Sequence, residues 1–227
     1  MQLTFKRYEK KYLVTNVQAA AVNAALQDHM APDQYPSYWV QNLYYDTDNW
    51  DVITLSMEKP LYKEKLRLRC YGTPSKDSNV FIELKKKYAG EVNKRRIALP
   101  LSMLTDSLQK VLVAHDTQIA RELDFYLQNN SVAAKMFITF HRTAFSGIKD
   151  EGLRVTFDTN IRYRCDKLDF SHPCQGKDVL HEDYQLMEIK TRTSIPLWLC
   201  EVLSENAIHR VSFSKYGTCF KDLKQLL

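Results

Sequence analysis

Lysine, arginine and glutamate recur at every second position in several short stretches of this chain, a spacing that can assemble a cationic surface for an anion. In KLRLR, Lys65, Arg67 and Arg69 alternate with Leu66, Leu68 and Cys70; in FIELKKK, Glu83, Lys85 and Lys87 alternate with Ile82, Leu84 and Lys86. In NKRRIAL, Lys94 and Arg96 alternate with Arg95 and Ile97. Near the N-terminus, Arg7, Glu9 and Lys11 alternate with Tyr8, Lys10 and Tyr12. Further on, Arg154, Thr156 and Asp158 alternate with Val155 and Phe157, and Glu188 and Lys190 with Met187 and Ile189. Successive side chains of a strand point to opposite faces. Six segments therefore read as strands with one apolar or aromatic face and one charged face.

For any single strand, such a pattern is best read as a sheet with its core on one side and water on the other. The set as a whole fits that reading less well. Exposed strand faces mix Thr, Ser and Gln with both charges, whereas Lys and Arg dominate here, with isolated Glu. Convergent cations repel one another unless an anion neutralises them, and phosphate is the anion that such Lys/Arg sets suit. A few embedded carboxylates could then hold a divalent cation bridging phosphate oxygens.

The elements that must position these residues follow from periodicity and punctuation. Phe5 to Val14 reads as a strand, and Thr15-Asn16 caps a helix through the Ala-rich VQAAAVNAALQDH. APDQYPS reads as a turn, and YWVQNLYYDT as a strand. LYKEKLRLRCYG and VFIELKKKY form a hairpin around GTPSKDSN, with GEVNKRRIALP returning beside them. SMLTDSLQKVLVAHD and TQIARELDFYLQNN have helical periodicity. Strands resume in AAKMFITFHRTAFSG, GLRVTFDTNIRYR and YQLMEIKTR. PLWLCEVLSENA is a helix with Pro196 early in it, VSFSKY a short strand, and TCFKDLKQLL a final helix. This predicts a single α+β domain over 1–227, with about eight strands and flanking helices. The strand count fits an open sheet as well as a closed barrel.

Composition narrows the function. The 227 residues are 44% apolar, and 32 basic against 27 acidic residues leave a net charge of only +5, less than a nucleic-acid coat protein carries. Aromatics such as Tyr8, Tyr12 and Phe157 fall opposite the charged faces, unlike the interleaved pattern of a single-strand binder. The five cysteines form no CxxC pair and read as reduced thiols in a cytosolic protein. No signal-peptide or membrane-spanning run is visible, so the expected location is cytoplasmic, with the basic charge compatible with the inner face of a membrane. GxxxxGK[ST], HExxH and GxSxG are all missing from the sequence. A nucleotide would therefore be gripped by side chains.

Read together and in order, RYEKKYLV, NLYYDT, KLRLRCYG, FIELKKK with NKRRIAL, FHRTAF, LRVTFDTNI, LMEIK and SFSKYG resemble the triphosphate tunnel metalloenzyme superfamily. Within it, they resemble the polyphosphate polymerase (VTC, vacuolar transporter chaperone) domain. The resemblance runs from Arg7 to about Tyr216. It implies an eight-stranded antiparallel β-tunnel, a closed barrel with flanking helices, that binds a phosphate chain with Mn²⁺ or Mg²⁺. It also implies roles: Lys11, Arg67, Arg69, Lys85, Lys94, Arg96 and Arg154 on phosphate, and Glu188 and Glu9 on metal. Arg142, Glu188 and Lys215 would act at the transferring group. The implied partners are ATP and inorganic polyphosphate, not nucleic acid, with a membrane-protein partner admitted. The hydrolytic branch opens with ExExK, where this chain has Arg7-x-Glu9-x-Lys11, a departure that points to the polymerase branch and away from the hydrolases; a tunnel-fold triphosphatase and a non-catalytic polyphosphate- or nucleotide-binding sensor are the alternatives. Phe140 stands where the eukaryotic polymerases lead one to expect Tyr.

Overall fold

Alternation of apolar and charged residues becomes, in space, strands whose inner faces bury against helices. A computed structural model describes residues 8–89, 91–104, 107–172 and 174–226. Arg7, the first residue of the expected Arg7-x-Glu9-x-Lys11 pattern, lies outside the described residues. In chain order the elements are β1 (Tyr8–Thr15), α1 (Asn16–Leu26), β2 (Met30–Asp46), α2 (Asp51–Met57), β3 (Tyr62–Tyr71), β4 (Asn79–Tyr88) and β5 (Glu91–Pro100). A 3-10 turn (Leu101–Met103), α3 (Leu108–Ala114), α4 (Gln118–Asn130), β6 (Ala133–Gly147) and β7 (Arg154–Arg164) follow. The chain continues through β8 (Lys177–Asp178), β9 (Tyr184–Thr191), α5 (Leu197–Glu205), β10 (Arg210–Val211) and α6 (Lys215–Lys224).

The α+β class and the antiparallel sheet agree with the sequence reading; eight strands and closure do not. Among the described residues the strands number ten, in the order β10-β1-β9-β7-β6-β2-β3-β4-β5 with β8 on β7. That path is open. The two extra strands, β8 and β10, are two residues each. VSFSKY, expected as a strand, pairs only through Arg210 and Val211, and Lys215 already starts α6. The expected turn APDQYPS also proves to be part of β2. Pro32 and Pro36 fall outside the stretch of β2 paired with β3, Val40 to Tyr44, so their missing N–H groups interrupt no bond of that ladder.

The chain divides into two compact units that share β2, β6, β7 and the two-residue β8. The first comprises Met1–Tyr38, Phe140–Ile161 and Asp178–Ser214. Its core joins Tyr12 and Val14 of β1, Val155 and Phe157 of β7, and Met187 and Ile189 of β9 to α1 and α5. Thr15 caps α1 as expected, by a reciprocal box: its hydroxyl accepts from Gln18 N (3.2 Å) and the Gln18 side chain accepts from Thr15 N (3.0 Å). The second unit comprises Trp39–Thr139, Arg162–Lys177 and Lys215–Leu227. There Leu66, Leu68 and Cys70 of β3, Ile82 and Leu84 of β4, and Ile97 and Leu99 of β5 pack on α3 and α4. Arg67, Arg69, Glu83, Lys94 and Arg96 in the second unit and Glu9, Lys11 and Glu188 in the first alternate with these core residues and so lie on the opposite face, whereas Arg95 reaches Glu122 of α4 on the core side.

Candidate functional site

Strand register decides which charges meet. In the second unit Arg67 pairs across to Glu83, and Glu83 to Arg96, making one row; Lys65, Lys85 and Lys94 form the adjacent row. The Glu83 carboxylate accepts from Arg67 Nε (2.9 Å) and lies 2.8 Å from Arg67 Nη2, both on Oε2. Oε1 meets Lys94 Nζ and lies 3.6 Å from Arg96 Nε, and Arg69 Nε stands 3.9 Å from Oε2. Burial pushes the Glu83 carboxyl up, but Arg67, then Arg69 and Lys94, pull it down to about 2. Burial lowers the Lys94 ammonium, and Glu83 offsets part of that.

The arginines are held from outside as well. Arg67 Nη1 donates to the Tyr44 hydroxyl (3.1 Å), Arg69 Nε to Asn42 Oδ1 (2.8 Å), and the Arg96 guanidinium lies 3.4 Å from the Phe81 ring centroid. Asn42 is fixed in turn by donating to the Ile138 carbonyl (3.1 Å). Tyr44 stacks on Tyr216 at 4.4 Å, and Tyr216 donates to Asp46 Oδ2 (2.7 Å). Lys215 precedes Tyr216 as the first residue of α6. Lys85 is exposed in its row.

In the first unit β1 and β9 alternate acid and base: Lys11 pairs with Glu188 and Glu9 with Lys190. Lys11 Nζ lies 3.4 Å from Glu9 and 3.6 Å from Glu188; Lys190 Nζ lies 3.8 Å and 3.7 Å from the same two carboxylates. Lys11 also donates to the Phe213 carbonyl at 3.1 Å. Burial lowers the Lys190 ammonium, opposed by Glu188 and Glu9. Arg142 makes a bidentate pair with Asp158 (2.6 and 2.7 Å) and reaches Glu188 Oε2 at 3.4 Å. Burial alone would lower its guanidinium, but Asp158 and Glu188 raise it. Arg154 is anchored to Asp33 (2.7 Å) and to the Tyr38 hydroxyl (3.2 Å).

Part of this set is unlike a solvated strand face: the side chains of Arg69, Arg142 and Glu188 are only 13%, 8% and 7% exposed, whereas Lys94 and Arg96 are 39% and 37% exposed. Each unit collects part of the expected set, with Glu9, Lys11, Arg142, Arg154 and Glu188 in the first and Arg67, Arg69, Lys85, Lys94, Arg96 and Lys215 in the second. The sequence reading passed over Glu83, Asp158 and Asp46 as site residues. Glu83 had a signal, being a lone acid in phase with basic neighbours on its strand.

Among the described residues no group of three or more His, Cys, Asp or Glu side chains could hold a metal by itself. Glu9 and Glu188 are a pair, and Thr156, facing Glu188 in register, has a buried hydroxyl oxygen with no hydrogen-bond partner. Two carboxylates and a hydroxyl are hard oxygen donors, a set that fits Mg²⁺ or Mn²⁺ when phosphate and water complete the shell.

A family model described as the VTC domain matches residues 6–224. Vacuolar transporter chaperone complex subunit 4 of Schizosaccharomyces pombe is 22% identical, over 83% of this chain and 33% of that protein. Subunit 4 of the same complex in Trypanosoma brucei is 26% identical, over 78% of this chain and 27% of that protein. The chain thus spans a third or less of the length of these relatives. Among solved structures, a candidate adenylate cyclase from Vibrio parahaemolyticus shares the fold with a TM-score of 0.51 at 13% identity, covering 96% of this chain and 99% of the other.

Proposed function

Because the chain belongs to the VTC domain family, in the triphosphate tunnel metalloenzyme superfamily, we propose that it transfers the terminal phosphate of ATP to the end of an inorganic polyphosphate chain. The observation that carries this reading is the gathering of Arg67, Arg69, Lys94 and Arg96 around one buried carboxylate, Glu83. Cations so placed suit a ligand with many closely spaced negative oxygens.

Phosphoryl transfer needs positioning and charge neutralisation more than covalent participation by the protein. Arg67, Arg69, Lys85, Lys94 and Arg96 of the second unit would hold phosphate oxygens; Lys11 and Arg154 of the first unit are cations of the same kind. The attacking group is a terminal phosphate oxygen already ionised at neutral pH, so no strong general base is required. As its P–O bond forms, the bond from the terminal phosphorus to the bridging oxygen breaks, and ADP leaves with the electron pair. Lys215 in the second unit and Arg142 in the first are each cations of the kind that stabilises charge on a transferring phosphate. Glu9 and Glu188, with the Thr156 hydroxyl, would hold Mn²⁺ or Mg²⁺, which when bound neutralises charge on phosphate oxygens.

Relatives named as subunits of a chaperone complex support a protein partner. Among the described residues no helix is long and apolar enough to cross a membrane. The deciding experiment is incubation with ATP and Mn²⁺, scoring ADP, orthophosphate and long polyphosphate. ADP with polymer supports transfer. Orthophosphate alone, from ATP and tripolyphosphate alike, would make the protein a hydrolase, and tight polyphosphate binding without turnover a sensor.

A further inference from the structure

Glu83 lies at the centre of the cationic face of the second unit, with a side chain only 1% exposed. Register dictates its neighbours: Arg67 on β3 and Arg96 on β5 stand directly across from it, and Arg69 and Lys94 lie on the diagonals. Both carboxylate oxygens are engaged by these four cations, Oε2 by Arg67 and Arg69 and Oε1 by Lys94 and Arg96. Tyr44, Asn42 and Phe81 hold the arginines from their other sides. With its charge neutralised by the surrounding cations, Glu83 is badly placed to ligate a metal, and its charge disfavours direct contact with phosphate.

We propose that Glu83 is an internal counter-anion, a positioning residue that sets the four cations in their converged geometry and limits how tightly they grip a phosphate chain. Without it, cations on neighbouring strands would repel and spread, and a ligand would have to meet the cost of ordering them. Its negative charge also opposes an incoming phosphate at short range, so the product can leave a site that would otherwise retain it. The role rests on the phosphate reading above for the identity of the external anion.

The test compares Glu83→Gln and Glu83→Asp with the unaltered chain. Tripolyphosphate affinity is measured by calorimetry in low salt without metal, thermal unfolding with and without tripolyphosphate, and kcat and KM with ATP and Mn²⁺. Glu83→Gln binds tripolyphosphate about tenfold more tightly, the scale of one charge removed at short range in a partly screened site. It loses stability in anion-free buffer and regains it with tripolyphosphate, while kcat and KM fall together. Glu83→Asp keeps an affinity near that of the unaltered chain. Equal or weaker binding by Glu83→Gln, or a loss of stability that no anion restores, overturns the proposal. If Glu83→Gln is recovered only unfolded, refolding in tripolyphosphate or sulfate supports it, and failure in both overturns it. An unaltered chain that binds no tripolyphosphate sinks the phosphate reading separately, and restoration of Glu83→Gln by sulfate or citrate still decides the part played by Glu83.

Discussion

Glu188 and Glu83 are both carboxylates among cations, yet their surroundings assign them different work. Glu188 shares Lys11 and Lys190 with Glu9 and faces an unpartnered Thr156 hydroxyl. Glu188→Gln keeps the shape, removes the charge and leaves the cations. Turnover should drop by at least about a hundredfold while tripolyphosphate binding stays within a few-fold. Activity that survives excess chelator undiminished would show the metal assignment to be wrong. Glu83 instead makes a pH prediction. Its carboxyl is held at about 2, below the ordinary 4.5, so the native state gains from its ionisation. That contribution, on the order of 3 kcal/mol, is fully present above about pH 4.5 and is lost as pH falls from there through about 2. Urea midpoints measured across this window should show that loss in the unaltered chain. A Glu83→Gln chain with the same acid dependence would contradict it.

At the scale of elements, Asp46 joins the end of β2 to two helices. Trp50, the residue before α2, has a left-handed backbone (φ 63°) and supplies no capping side chain. Asp46, fully buried, does so from a distance, accepting from Val52 N (2.9 Å) and Ile53 N (3.0 Å) and from the Tyr216 hydroxyl. Asp46→Asn presents an amide N–H where an acceptor is needed and should cost about 2 kcal/mol. Tyr216→Phe should cost about 1 kcal/mol. Urea denaturation reads both, and an unchanged midpoint for Asp46→Asn would show that the bonds to α2 and α6 add nothing. The charged and apolar faces of β3, β4 and β9 were legible in the sequence because side-chain direction has a strict period of two. The end of VSFSKY was not, because Ser212–Tyr216 alternates like a strand. Tyr216, Cys219 and Phe220 are instead buried on one side of α6, a choice made by the core they enter.

For the whole molecule, a net charge of +5 is small, and under the proposed function its effect on a polyanion would come from its concentration on the charged strand faces. Attraction between those faces and a long phosphate chain is screened by salt over a Debye length of about 10 Å at 0.1 M. Raising ionic strength from about 50 to 500 mM should therefore lower kcat/KM by roughly tenfold or more. The effect should be larger for a long polyphosphate acceptor than for a short one. A rate indifferent to salt would detach the cationic faces from substrate capture.

The sequence by itself determined the α+β class, eight of the strand segments, the Thr15 cap of α1 and the family, because each rests on local periodicity, local hydrogen bonding or an ordered set of motifs. It also marked Arg67, Arg69, Lys94, Arg96 and Glu188 as charges on the face opposite a core. Only the tertiary structure decided which charges answer one another. Arg154 meets Asp33 across 121 positions and Tyr216 meets Asp46 across 170, and neither pairing has a local signature. The four cations around Glu83 depend on the register of β3, β4 and β5. A slip of one residue in that register would turn every one of those side chains to the other face. Burial and register, properties of the assembled sheet, made a shared counter-anion out of one acid in a run of lysines.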